Sequence, residues 1–209
     1  MKHSIISSIN WWWVRHAKTK KPSDDTIVGW SDLPIIQNHD DHFQKLAEIL
    51  PRQALVLTSD LCRSTQTLEI LSRYTPDLAT SQTEPELREQ NFGQWENRTY
   101  DEIQEQFPEY IEATHHNPAS ICPPDGESFK DVTTRVTRVI QRYHKTDNIP
   151  ESSIVCVVHA GTIRAAISHA LSLPPEKSLA FHLDHLSVTR IEYFASVDSW
   201  KIHYINRTV

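Results

Sequence analysis

The sequence predicts a three-layer α/β/α sandwich on a mostly parallel central sheet. Short apolar runs at Trp11–Val14, Ala54–Leu57 and Ser153–Val158 end in polar residues and have the length of buried strands. After each comes a segment with apolar residues at helical spacing, and strands alternating with helices cover a sheet on both faces. Near the end, Ser187–Tyr193 and Trp200–Ile205 flank Ser196-Val197-Asp198 and read as an antiparallel pair.

In chain order, the first strand ends at Arg15-His16, and residues 17–38 are irregular, with Pro22, Gly29 and Pro34. Phe43, Leu46, Ala47 and Leu50 give Asp40–Leu50 a helical stripe. The second strand leads through Thr58-Ser59-Asp60 into a helix from about Leu61 to Tyr74, and a short strand is predicted over Leu78–Gln82. Residues 86–125 are loop-rich, with one helix near Tyr100–Phe107. A long helix over Glu127–Tyr143 carries Phe129, Val132, Val136, Val139 and Ile140, and another follows over Gly161–Leu171. The chain of 209 residues reads as a single domain, 1–209, with residues 94–126 as an excursion that partly covers the sheet edge as a lid.

Composition bounds the function. A formal net charge of -6 argues against a nucleic-acid partner. No apolar run reaches membrane-spanning length, and Met1–Asn10 lacks the pattern of a signal peptide, so a cytoplasmic protein is expected. Cys62, Cys122 and Cys156 have neither metal-ligand nor redox spacing, which fits a reducing compartment. Twelve histidines include ligand-like spacings at His39-His42, His115-His116 and His182-Asp184-His185, but no Cys or carboxylate partners complete a recognisable site, so no metal or other cofactor is expected. Only four glycines occur, Gly29, Gly93, Gly126 and Gly161, which suggests positions where a side chain is not tolerated.

The three buried strands end in one chemical theme: Arg15-His16, then Ser59 just before Arg63, then His159. Ligands of open α/β sheets bind outside the carboxyl ends of the strands, so two arginines and two histidines are expected at one edge. Arginine forks match phosphate oxygens, and helix N-termini near Arg63 and Gly161 add N–H groups aimed at an anion.

Val14-Arg15-His16-Ala17-Lys18-Thr19 resembles the RHGxT signature of the histidine phosphatase superfamily, the phosphoglycerate-mutase-like proteins. Four further blocks match in order: Thr58–Thr67, Leu87–Glu96, Pro124–Ser128 and Val158–Arg164. The resemblance implies a phosphoglycerate-mutase-like fold and a metal-independent phosphatase. It implies His16 as the nucleophile, Arg15 and Arg63 as the phosphoryl clamp, His159 as a stabiliser of the transferring group, and Glu89 as proton donor and later base. Arg15, Thr19, Arg63, His159 and Ala160 are its implied substrate contacts. Alanine replaces the usual glycine at Ala17 and Ala160, Pro22 replaces a frequent asparagine, and Asn97 replaces a glycine. Asn97 can adopt the left-handed conformation that glycine would.

Other readings stand beside these. Trp11-Trp12-Trp13 reads as sheet packing, Arg164 as a structural residue pairing with a carboxylate, and Thr137 and its neighbours as an ordinary helix face. The implied substrate is a small-molecule phosphomonoester, and Phe92–Arg98 and Phe181–Asp184 are similar to α-ribazole phosphatases. The alternatives are a phosphoglycerate mutase and a phospho-ligand-binding protein. Mutases of this type are usually longer, and every implied catalytic position is filled. A homodimer is left open.

Overall fold

The computed structural model describes residues 8–36, 40–78, 80–110, 117–145, 149 and 152–209. Most of the Met1–Asn10 segment, and His39, His115 and His116 of the histidine pairs, lie outside the described residues. The strands are β1 (Ser8–Arg15), β2 (Leu55–Thr58), β3 (Ser81–Thr83), β4 (Ser153–Val158), β5 (Val188–Phe194) and β6 (Ser199–Arg207). The helices are α1 (Asp40–Ile49), α2 (Cys62–Ser72), α3 (Tyr100–Gln106), α4 (Phe129–His144), α5 (Ala160–Ala170) and the single-turn α6 (Pro175–Ser178). The third strand is shifted relative to expectation: Leu78 is buried in a short 3-10 turn, and pairing begins only at Ser81.

The six strands run in the order β3-β2-β4-β1-β5-β6. The first four are mutually parallel, and β5 and β6 extend the sheet antiparallel beyond β1. The alternation of a strand sorts its side chains between two cores. Trp11 and Trp13 stack at 5.3 Å and 8° on the face covered by α4 and α5. Trp12 points the other way, toward the core shared with α1 and α2, and Arg190 lies 4.5 Å above its ring. The tryptophan run is sheet packing on both faces. The chain folds as a three-layer α/β/α sandwich.

α4 begins in a reciprocal capping box, in which the Ser128 side chain accepts from Asp131 N–H and the Asp131 carboxylate accepts from Ser128 N–H. α3 uses the same device with Thr99 and Glu102. A third, small apolar cluster of Ile27, Trp95 and Ile103 lies away from the sheet, with Phe92, Phe107, Tyr110 and Ile121 packed against it. It pins Phe92, the segment from Trp95 to Tyr110 and Ile121 to the loop after β1.

The site is set by the neighbouring central strands β1 and β4. Arg15 pairs with Val158 at the last rung, and His16 N–H donates to Val158 O at 2.9 Å, one step further. His16 and His159 therefore leave adjacent strands at the same level of the sheet. Their ring centroids are 5.1 Å apart.

Candidate active site

His16 is almost fully buried, and its Nδ1 lies 2.7 Å from Ala17 O. A carbonyl oxygen can only accept, so Nδ1 carries the hydrogen and Nε2 holds a lone pair. Burial holds the His16 imidazole well below the usual histidine range, with Arg63, His185 and Arg15 adding to the effect. The residue is thus uncharged and fixed in one tautomer. Ala17 N–H in turn donates to Thr67 Oγ1 at 2.9 Å, tying this turn to α2.

Arg63, the second residue of α2, is buried and fully guided. Its Nη1 donates to Ser31 O at 2.9 Å, its Nη2 to Gly29 O at 2.6 Å and its Nε to His159 Nδ1 at 3.2 Å. Since His159 Nδ1 accepts, its hydrogen sits on Nε2, which donates to Ser59 Oγ at 2.6 Å with Ser64 Oγ at 3.3 Å. His159 is held neutral by burial, with Arg63 next in effect. In this structure both of its nitrogens are used inside the protein, and it backs Arg63.

The two carbonyls that hold Arg63 come from a loop stapled by Glu96. Its Oε1 accepts from Trp30 N–H at 2.6 Å and Phe92 N–H at 3.2 Å. Its Oε2 accepts from Ser31 N–H at 2.8 Å and Ser31 Oγ at 2.9 Å. Gly29 has φ +57°, and a Cβ there would lie 2.2 Å from Glu96 Oε1. Asn97 also takes the left-handed conformation, with φ 61°.

Glu89 reaches the site from the loop after β3. Its Oε1 accepts from Gln90 N–H at 2.9 Å, and its Oε2 from Gly161 N–H, in the first turn of α5, at 3.3 Å. A Cβ on Gly161 would stand 2.1 Å from Glu89 Oε1, which is why glycine is found there. Arg135 of α4 holds the preceding segment, donating to the carbonyls of Glu86, Arg88 and Glu89 at 2.6, 2.7 and 2.9 Å and pairing with Glu127 at 2.9 Å. Gly93 packs on the Pro124–Gly126 turn, where a Cβ would lie 2.1 Å from Pro124 O.

A cavity of about 250 Å³ opens at this edge. Arg15, His16, Thr19, Arg63, Glu89 and Ala160 all line it. His159 stands behind the wall, fully buried. Asp24 and Asp25 also line the cavity, Asp24 paired with Lys18 and Asp25 accepting from Ser23 Oγ; further back, Asp60 pairs with Arg88, Glu127 with Arg135, and Glu96 is the staple just described. Burial lowers the Arg15 and Arg63 pKa values, and Glu89 opposes that shift at both.

Lys21, Phe92, Tyr100, Arg164 and His185 also line the cavity. Arg164 does not pair with a carboxylate as expected; its Nε donates to Phe181 O at 2.9 Å. His185 was read only as part of a ligand-like spacing. It lies three residues before the start of β5, and an antiparallel strand next to β1 begins at the edge where β1 ends. Strand order, which one sequence does not give, was the signal needed. Among the described residues no group of three or more His, Cys, Asp or Glu side chains is gathered in a metal-binding arrangement.

A family model described as "Histidine phosphatase superfamily (branch 1)" matches residues 11–208. The chain is 28% identical over 177 residues to the adenosylcobalamin/alpha-ribazole phosphatase of Escherichia coli K12, covering 83% of this chain and 84% of that protein. It is 27% identical over 184 residues to the "Probable phosphoglycerate mutase GpmB" of Enterobacter sp. (strain 638), covering 86% and 83%. The structure of a mycobacterial glucosyl-3-phosphoglycerate phosphatase superposes with a TM-score of 0.81 at 23% identity, over 96% of this chain and 100% of that one.

Proposed function

Because the chain belongs to the histidine phosphatase superfamily, branch 1, we propose that it hydrolyses a small-molecule phosphomonoester through a phosphohistidine on His16. The observation that carries this reading is the state of His16: neutral, buried, its Nδ1–H bound to Ala17 O, which leaves the lone pair on Nε2, in a cavity that Arg15 and Arg63 also line. A neutral imidazole is a good nucleophile, and covalent capture divides one hard step into two.

Nε2 of His16 attacks phosphorus, the P–O bond to the alcohol breaks, and a proton passes from Glu89 to the departing oxygen. Water then attacks the phosphohistidine, Glu89 takes back a proton, and His16 leaves neutral. Arg15 and Arg63 meet the charge on the phosphoryl oxygens, with Thr19 and the Ala160 backbone beside them. His159 fixes the Arg63 guanidinium through Nδ1. The arginines supply the positive charge, and the reaction is read as metal-independent and cytoplasmic. The described residues of the 94–126 stretch are read as a partial lid, a role supported by Tyr100 and neighbouring Phe92 in the cavity wall. The volume of about 250 Å³ suits a small substrate. The Escherichia coli relative's name places α-ribazole 5′-phosphate first in a substrate panel.

The test is labelling with a radiolabelled phosphomonoester. Wild-type protein should carry an acid-labile, base-stable label, and His16→Ala should lose both label and turnover. An acid-stable label, or one surviving in His16→Ala, overturns the mechanism. The similarity to a phosphoglycerate mutase motivates a second assay. Interconversion of 2- and 3-phosphoglycerate faster than phosphate release from the best ester would make the chain a mutase. Activity should persist through EDTA treatment and dialysis; loss restored by Mg²⁺, Mn²⁺ or Zn²⁺ would count against metal independence.

A further inference from the structure

Three histidines meet at the cavity edge, and the third has no part in the reaction derived above. The His185 ring centroid lies 5.2 Å from that of His16. Its Nδ1 is 3.0 Å from His16 O, a carbonyl that can only accept, so the hydrogen sits on Nδ1 and the ring is fixed by the backbone of the nucleophile itself. His16 Nδ1 is occupied by Ala17 O, and both nitrogens of His159 are occupied by Arg63 and the two serines. The remaining nitrogen of His185, Nε2, belongs to a ring that lines the cavity.

We propose that His185 is a third site histidine, which takes a proton from solvent as the phosphoryl dianion binds and then donates Nε2–H to a phosphoryl oxygen. The inference rests on the phosphatase reading and deepens it. The surroundings of His185 explain why the proton is absent from the empty site. The charges that act on it most are cations: Arg15 at the end of β1, then Lys21 and Lys18 in the next loop. Arg63 from α2 and Arg164 from α5 face the same cavity, as does the neutral His16. Three carboxylates stand on the cavity wall too: Glu89, held by α5 and Gln90, and Asp24 and Asp25 in the loop after β1, where Asp24 pairs with Lys18. Beside His185 in the chain, Asp184 is turned to His182 and Asn206. Burial and these cations put the pKa of the resting His185 at about 4. A dianion in the clamp reverses the sign of the local field and favours imidazolium. The site then offers one more cation to the bound phosphoryl group than it carries when empty, and none of that charge is left exposed between turnovers.

The test measures inhibition by inorganic phosphate, against p-nitrophenyl phosphate as substrate, from pH 5.5 to 8 in wild type and His185→Asn. Phosphate's own ionisation cancels in the ratio of the two inhibition constants. A charge-assisted hydrogen bond corresponds to about 10- to 100-fold in affinity. The ratio is expected to show that loss at the acidic end and to shrink as the pH rises through the pKa of the complex. A ratio that does not vary with pH overturns the proposal. A wild-type measurement covers the case of a misfolded variant. The His185 ring resonances should report a neutral imidazole without phosphate at pH 6.5 and an imidazolium with saturating phosphate; an unchanged ring overturns the proposal. Wild type that turns over ester while giving either negative result retains the phosphatase reading. Wild type that neither binds phosphate nor turns over ester loses both.

Discussion

At Glu89, two backbone N–H groups hold the carboxylate over the start of α5, and Gly161 leaves the only room for it. This allows the proposed proton carrier to be tested twice. Glu89→Gln should slow hydrolysis of an alkyl phosphate by about 10²- to 10⁴-fold, since an alkoxide needs a proton to leave. It should slow phosphorylation by p-nitrophenyl phosphate far less, and a burst of p-nitrophenol should appear because the base for water is gone. Gly161→Ala should give the same discrimination between substrates without altering any titratable group, because its Cβ displaces Glu89; a misplacement of this size costs about 10²-fold. Equal effects on both ester classes in both variants would make Glu89 a bystander. The sequence located Arg15, His16, Arg63 and Glu89 because each lies in a short block read without knowing the fold. It missed His185 and misassigned Arg164, because their place depends on which strands are neighbours and where a carbonyl such as Phe181 O falls.

Among the elements, the loop from Gly29 to Ser31 has an influence its irregular sequence conceals. Its carbonyls aim Arg63, and its own N–H groups are aimed by Glu96. Glu96→Gln keeps the shape but turns an amide NH₂ toward backbone N–H donors. Trp30 is exposed and Ser31 partly buried, so the loss is that of an ordinary hydrogen bond, about 1 kcal/mol. The variant should unfold more easily by that order, measured by urea titration, and phosphate affinity should fall as Arg63 loosens. The loss in turnover should be the same for alkyl and aryl esters, which separates a loop staple from a proton donor. Helices α1 to α5 were legible to within a residue or two, whereas the single turn α6, too short for a period to show, was not. The capping boxes Thr99–Glu102 and Ser128–Asp131 explain where α3 and α4 begin. The edge strand β3 was placed too early, because Leu78 is apolar for a reason unrelated to pairing: it fills the core under a 3-10 turn.

For the molecule as a whole, the histidines set an acid limit. His144 stacks on Tyr193 at 3.8 Å and 2°, and burial lowers its pKa to about 4, with His169 adding to the shift. His16, His159, His169 and His185 are lowered as well, each chiefly by burial. A histidine whose folded pKa lies below the unfolded value of about 6.5 contributes stability that is present above that pH and is lost as pH falls toward the folded pKa. The free energy of unfolding should therefore be level above about pH 6.5 and decline steeply from there to about pH 4. His144→Phe keeps the stacked ring and removes one titration, so the slope in that window should drop by about one proton. An unchanged slope would show that His144 charges as readily folded as unfolded. The alternation of strands and helices gave the layers from sequence alone. The order β3-β2-β4-β1-β5-β6 comes from long-range pairing, which no local pattern encodes.

The shared level of His16 and His159 at the ends of β1 and β4 has a consequence for how such a chain can diverge. Their separation is a property of the sheet ladder, whereas Thr19, Lys21, Phe92 and His185 stand on connections between elements. Insertions and deletions in those connections can remodel what the cavity admits while the His16–His159 distance is preserved. A deletion of one residue within Ser8–Arg15 is different. It would swap the faces of Trp11, Trp12 and Trp13, trading buried partners on both sides of the sheet, and draw His16 back by about 3.3 Å. Substrate range and reaction chemistry are thus open to mutation at very different rates, and the boundary between them runs along the carboxyl edge of β1.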